Sequence, residues 1–119
     1  QNLMWQNVGV LRTGLKLEKT LLRLRSIREN LEEVTPAKGQ AFNLTLQDWF
    51  DLRSGLLTAE AVTLSALNRT ESRGAHQRED FTETKQSFVR NQSISLDRNG
   101  SLNSSFVTSK NFSELENAR

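Results

Sequence analysis

Between Gly14 and Val34 the apolar residues Leu17, Leu21, Leu24, Ile27, Leu31 and Val34 recur at steps of 4, 3, 3, 4 and 3. That spacing sets all of them on one narrow face of a helix, since a turn takes about 3.6 residues. A stripe so narrow wants a facing helix, not a sheet or a flat lipid surface. At about 1.5 Å per residue the segment spans roughly 30 Å. Glu32 and Glu33 close it before Thr35-Pro36. Proline disfavours the helical conformation of the residue before it, so the helix is predicted to stop there.

A second helix is predicted after a loop containing Gly39. Thr45-Leu46-Gln47-Asp48 pairs a hydroxyl cap with an acid three residues on, and Trp49, Leu52, Leu56, Ala59, Thr63 and Ala66 again step by 3 and 4. Phe50, Leu57, Val62 and Leu67 widen this face, which runs to about Arg69. Gly55, Ala59, Ala61 and Ala66 permit close backbone approach, so this helix is expected at the centre, packed on more than one side. Upstream, Leu3, Met4, Trp5, Val8 and Val10 form a short apolar patch of a few helical turns, with Trp5 as its expected anchor. The short connection around Pro36 to Asn43 makes the long helices antiparallel neighbours. The expectation is an all-α fold, an antiparallel three-helix bundle over residues 1–81.

From Thr82 onward Ser, Asn, Gln and Thr prevail and the helical period is lost. Phe88, Ile94, Leu96, Leu102, Phe106 and Val107 flank Asp97-Arg98-Asn99-Gly100, and an Asn-Gly pair between partly alternating segments signals a hairpin. Residues 82–119 therefore read as a polar tail with a β-hairpin. An isolated hairpin is marginal in water, so it must lie on the bundle or on something outside the chain.

Composition narrows the chemistry. The chain's 119 residues are 35% hydrophobic, which suits one domain with an economical core. There is no Cys and a single His, so thiolate chemistry and a cluster of imidazole metal ligands are ruled out within the chain. No apolar run approaches the ~20 residues of a membrane span, and the first ten residues lack the pattern of a signal peptide, so a soluble, unexported protein is expected. Sixteen Lys and Arg against fourteen Asp and Glu leave a formal charge of +2, with the signs interspersed. Arg12, Lys16, Lys19 and Arg23 form a basic stripe, but the aromatic interleaving of a nucleic-acid surface is missing, so a solvated face is the expectation.

The densest polar cluster runs from Glu71 to Phe81, Glu-Ser-Arg-Gly-Ala-His-Gln-Arg-Glu-Asp-Phe. Gly74 is expected to end the second helix with a positive φ, leaving Arg73, His76 and Arg78 beside Glu71, Glu79 and Asp80. His76 has the chemistry of a general acid or base. No nucleophile or metal partner set accompanies it, so a hydrogen-bonded loop that grips a neighbouring surface is the favoured reading.

Three segments carry a resemblance: Leu3 to Thr13 (LMWQNVGVLRT), Asp51-Leu52-Arg53 with Thr58-Ala59-Glu60-Ala61, and Glu71 to Phe81. In this order they resemble the C-terminal domain of the succinate dehydrogenase and fumarate reductase flavoprotein subunit, over approximately residues 1–81. The resemblance implies a bundle similar to a spectrin repeat, the C-terminal scaffolding part of an oxidoreductase. It implies no catalytic, cofactor-binding or metal-binding residue in this chain. FAD, the dicarboxylate and the proton-delivering arginine would lie in the flavin-binding and capping domains of the parent subunit. On this view Glu71, Arg73, Gly74, His76, Arg78 and Asp80 form an inter-domain latch. The hairpin tail packs on those domains or on the iron-sulfur partner subunit.

The implied location is cytoplasmic, peripheral to the inner face of the membrane through the parent complex, with no nucleic-acid partner and no direct membrane span. Self-association of the isolated domain is expected from its uncovered apolar surface. L-aspartate oxidase has a similar C-terminal bundle, usually with a bulkier residue after the motif's Gly, so Ala75 favours the dehydrogenase and reductase branch. After Phe81 the chain departs from the family pattern, with Thr82 to Phe88 in place of a Pro and an acidic stretch. The alternative from another class is a free-standing helical interaction module presenting the Leu17 to Val34 stripe, which requires that stripe to be exposed.

Overall fold

The computed structural model describes residues 1–34 and 44–107. In chain order it contains α1 (Asn2–Asn7), β1 (Leu11–Arg12), α2 (Gly14–Glu33), α3 (Leu44–Asn68), β2 (Gln77–Arg78), a 3₁₀ turn at Gln86–Phe88, β3 (Asn91–Leu96) and β4 (Leu102–Val107). The domain is helical, with a small antiparallel hairpin at its C-terminal side. Thr13 caps α2 by accepting the Lys16 N–H at 3.4 Å, and Val34, ahead of Thr35-Pro36, is already extended. α3 begins at Leu44, so Thr45 lies inside the helix and does not cap it. The connection with Pro36 and Gly39 lies outside the described residues. Trp49 donates its indole N–H to the Leu31 carbonyl, while Arg25 and Arg28 reach Glu60. Rising numbers on α2 meet falling numbers on α3, so the two helices are antiparallel.

The stripe is fully covered along its first half. Leu17, Leu21 and Leu24 are buried with Leu56, Ala66 and Val8, and Val8, Leu17 and Ala66 form a core cluster joined by Met4 and Leu67. Beyond Leu24 the cover thins: Leu31 stays half-buried, but Ile27 and Val34 of the stripe are 37% and 56% exposed, and Phe50 and Leu52 of α3 52% and 51%. The cause is the length of α1, whose six residues reach about 9 Å along the pair. Trp5, expected to anchor α1, is 85% exposed. Met4 and Val8 stand four apart and take the inward face, and the residue beside Met4 is turned ~100° away from it. An open apolar groove of about 940 Å³ results, lined by Met4, Trp5, Leu24, Ile27, Leu52 and Gly55. A Cβ added at Gly55 would meet nothing within 4 Å, so this glycine does not serve close backbone approach.

Glu60 is buried within α3, where Arg25 Nε and Arg28 Nε each bind one of its oxygens at 2.9 Å. A buried carboxylate is tolerable only when paired like this. It fixes the register of the helix pair at mid-length.

β3 and β4 pair antiparallel from Asn91↔Val107 to Leu96↔Leu102. Arg98-Asn99-Gly100 is a three-residue loop, closed by the Gly100 N–H donating to the Asp97 carbonyl, with Gly100 at φ 78°. That is a turn followed by a left-handed residue, a common three-residue hairpin. The Asp97 carboxylate also accepts the Asn99 and Ser101 N–H groups at 2.9 and 2.8 Å. One face of the hairpin lies on this chain's own helices. Arg28 Nη1 donates to the Gly100 carbonyl at 3.1 Å, and Phe106 packs edge-on against Phe88 at 5.2 Å beneath the Arg69 guanidinium.

Candidate functional site

The polar cluster after α3 folds into a clamp over the ends of both long helices. α3 ends at Asn68, so its last carbonyls lack helical partners. Arg78, 2% exposed, donates Nη1 to the carbonyls of Ala66, Leu67 and Arg69 at 2.9, 3.1 and 3.4 Å. A cation at a helix C-terminus also meets the negative end of the helix dipole. The other edge of the guanidinium holds Asp80 by two parallel bonds, Nε to Oδ1 at 2.7 Å and Nη2 to Oδ2 at 2.8 Å. Asp80 Oδ2 accepts the Gly14 N–H, at the start of α2, at 2.8 Å. A Cβ on Gly14 would come within 2.9 Å of that oxygen and 3.1 Å of Arg78 Nη2, so the fork closes over this residue because it lacks a side chain. These hydrogen bonds hold the Asp80 carboxyl well below the usual carboxylate range, the Arg78 contact being the largest cause.

Backbone pairing delivers Arg78 to this place. β1 and β2 lie parallel, Leu11 opposite Gln77 and Arg12 opposite Arg78, joined by the Gln77 N–H to the Val10 carbonyl and the Glu79 N–H to the Arg12 carbonyl. The buried Ser72 hydroxyl accepts the Arg78 N–H at 2.8 Å and donates to the Phe81 carbonyl at 2.8 Å. Gly74 does have a positive φ, 58°, but six residues beyond the helix end. It makes a tight turn in which Arg73 and His76 exchange backbone hydrogen bonds at 2.8 and 3.0 Å.

Glu71 is fully buried and collects its partners from both sides of that turn. Arg73 Nε and Arg69 Nη1 bind Oε1 at 2.9 and 2.6 Å, and the Lys85 N–H binds Oε2 at 2.8 Å. The Arg73 bond leads in holding its carboxyl down, to about 2, against the opposing cost of burial. The same pairing raises Arg73. Arg69 continues outward to the carbonyls of Phe88 and Arg90, tying the tail to the end of α3.

His76 has both ring nitrogens engaged. Nδ1 meets Arg12 Nη1 at 2.6 Å, and a guanidinium can only donate, so Nδ1 is the acceptor and the proton sits on Nε2, which faces the Arg69 carbonyl at 3.0 Å. Burial, the larger cause, and the neighbouring Arg12, Arg78 and Arg69 push His76 below its usual value. The imidazole is thus a neutral spacer in an arginine-rich corner.

The structure brings together Glu71, Arg73, Gly74, His76, Arg78 and Asp80, all singled out by sequence. It adds Arg12, read from sequence as one member of a solvated stripe, together with Arg69 and Ser72. Lys16, Lys19 and Arg23 of that stripe are exposed. Arg12 differs from them because β1 carries it against β2, across 64 residues of chain. No spacing rule signals such a contact. Among the described residues no helix is long and apolar enough to cross a membrane.

A family model described as the fumarate reductase flavoprotein C-terminal region matches residues 1–116. One chain of the fumarate reductase (CoM/CoB) of Methanothermobacter marburgensis is 39% identical over 95 residues, 80% of this chain and 17% of that protein. L-aspartate oxidase 1 of Ralstonia nicotianae is 33% identical over 84 residues, 71% of this chain and 15% of that protein. Among solved structures, an E. coli quinol fumarate reductase superposes with a TM-score of 0.83 at 31% identity, covering 90% of this chain and 19% of that one. The chain therefore spans less than a fifth of the length of these relatives. With its family model, its relatives and its fold in agreement, the chain belongs to the C-terminal domain family of the fumarate reductase and succinate dehydrogenase flavoproteins, to which L-aspartate oxidases are also similar.

Proposed function

We propose that this chain is the C-terminal helical scaffolding domain of a FAD-dependent fumarate reductase or succinate dehydrogenase flavoprotein subunit, packing on the flavin-binding and capping domains and lending no catalytic residue of its own. The observation that carries this reading is the family match over residues 1–116. FAD belongs to the rest of that subunit. The 940 Å³ groove offers aliphatic and indole side chains, not the cradle of N–H groups that a pyrophosphate needs, so no step of flavin chemistry is assigned to these residues.

Two features support a scaffolding role. The exposed turn at Arg73-Gly74-Ala75 is backed by the buried Glu71 and Arg78, which makes it a rigid outward edge. We assign Glu71, Arg73, Gly74, His76, Arg78 and Asp80 as the latch to the neighbouring domain, with this turn at its tip. The groove also calls for cover. Val8 lies with Leu17 and Ala66, and Met4 meets Thr63, so α1 runs antiparallel to α2 and its axis points from Asn2 along the groove toward Ile27 and Leu52. A helical extension ahead of α1 in the longer subunit would fill it and complete an antiparallel three-helix bundle similar to a spectrin repeat. Without that cover the isolated domain self-associates.

On the same reading residues 1–81 are the bundle and 82–119 the tail, whose β3–β4 hairpin packs on the flavin-binding and capping domains or on the iron-sulfur partner. The complex is cytoplasmic and peripheral to the membrane. The second reading, an L-aspartate oxidase C-terminal domain, is favoured by the 33% identical relative, while Ala75 speaks for the reductase branch. The latch is tested by Arg73→Ala in the full-length subunit. Flavin content and activity are expected to fall, and unchanged values would refute the assignment.

A further inference from the structure

Four guanidinium groups, from Arg12, Arg69, Arg73 and Arg78, converge on the clamp, and among the described residues two carboxylates pair with them, Glu71 and Asp80. Both are committed. Glu71 takes Arg69, Arg73 and the Lys85 N–H, and Asp80 takes Arg78 and the Gly14 N–H. Arg12 is left with the Gly9 carbonyl on Nε and the neutral His76 on Nη1, and it has no carboxylate among the described residues. A half-buried cation without a counterion is unfavourable, and burial and Arg78 both weaken its hold on its proton.

Arg12 lines a cleft. Arg69 and His76 line it too, together with Ala61, Val62 and Ser65 of α3. Its charge is cationic, and the α3 wall carries small, mostly apolar residues with the Ser65 hydroxyl among them and Gln92 at the edge, which suits a carboxylate carried on a short hydrocarbon stem. The planar fork of a guanidinium matches two carboxylate oxygens, and enclosure by a packed protein surface strengthens such a pair.

We propose that Arg12, oriented by His76, is the receptor for an acidic side chain of the protein surface that packs over this cleft. Arg12 supplies the donors, and His76 fixes the guanidinium by accepting from Nη1. The inference rests on the scaffolding reading only for which domain brings the acid.

The site itself is read in the chain alone. Acetate is titrated against sodium chloride at equal ionic strength, following the Arg12 Nε–H and the His76 ring by NMR. The expected result is a saturable shift with acetate that chloride does not produce. Arg12→Lys, which keeps the charge and loses the fork, weakens it three- to tenfold, and Arg12→Gln abolishes it. The Val8 and Leu17 methyl signals report whether each variant keeps its core, and if Arg12→Gln unfolds, the Arg12→Lys comparison decides. Identical linear responses to acetate and chloride would overturn the proposal. So would inorganic phosphate binding as tightly as acetate, since that marks a general anion site. An acetate site in a chain that fails to bind the flavin-containing part would leave this inference standing and remove the scaffolding one.

Discussion

Arg78 grips Asp80 through two parallel hydrogen bonds of 2.7 and 2.8 Å, and through that pair the last turn of α3 is fastened to the first residue of α2. Arg78 and Asp80 are two residues apart, yet the groups they satisfy, the Ala66 carbonyl and the Gly14 N–H, belong to separate helices. A local pair thus makes a long-range tie.

Removing Arg78 exposes the cost of those partners. Arg78→Ala is expected to destabilise the chain by about 3–5 kcal/mol, the range for breaking a buried ion pair from one side. Arg78→Lys should recover only part of it, because an ammonium cannot hold Asp80 with a fork and cap three carbonyls together. Urea unfolding of the variants measures both, and a loss below about 1 kcal/mol for Arg78→Ala would contradict the clamp.

Stability should fall in acid in two stages. His76 is pushed below its ordinary 6.5 by burial, so the unfolded chain takes up its proton first. Its contribution is complete above pH 6.5 and is lost as the pH falls through the lower folded value. Glu71, ordinarily 4.5 and held at about 2, and Asp80, also held down, contribute fully above the ordinary carboxylate range and lose that contribution as the pH drops toward their folded values. Urea midpoints between pH 8 and pH 3 should therefore begin to decline below about 6.5, and His76→Gln should flatten the upper stage. A midpoint constant from pH 7 to pH 5 in the unmodified chain would rule this out.

Glu60 sets the register of α2 on α3. Replacing it with Gln removes the charge that Arg25 and Arg28 share, and the expected cost is about 1–3 kcal/mol. Both arginines retain a path to water, 40% and 18% exposed, so the loss should stay below that of Arg78→Ala. The comparison of the two variants in one denaturation series is the check.

The hairpin depends on Gly100. Its φ of 78° lies in the left-handed region, where a side chain costs about 1–2 kcal/mol. Gly100→Ala should raise amide exchange across β3 and β4, and through the Arg28 contact loosen the hairpin from α2, while α2 and α3 keep their protection. Uniform protection in the variant would show the turn to be unstrained.

What the sequence discloses follows from how local each signal is. The Leu17, Leu21, Leu24 spacing and the Thr35-Pro36 stop define α2, and Asp97 to Gly100 marks the hairpin, because period and turn chemistry act over a few residues. Arg78 reads as one charge among several in its motif, and nothing nearby says that it is buried against Ala66 and Leu67. The pairing of Leu11–Arg12 with Gln77–Arg78 is too short to leave an alternation pattern. Trp5 and Ile27 carry the apolar character of core residues, but Trp5 is exposed because Met4 and Val8 take the inward face of α1, and Ile27 because α1 is too short to cover it, neither of which periodicity within α2 can report. The motif from Glu71 to Phe81 is legible as a unit through its family resemblance, while its internal wiring becomes visible only in three dimensions.

The central claim is that this domain buttresses a flavin-binding part. The direct measurement mixes the purified chain with the separately expressed flavin-containing part of its subunit, following association, flavin retention and dicarboxylate turnover together. The account predicts a stable complex, a blue shift of the exposed Trp5 as the groove is covered, and improved flavin retention or turnover. A folded chain that shows no affinity for that part, and leaves its flavin retention and turnover unchanged, would contradict the account.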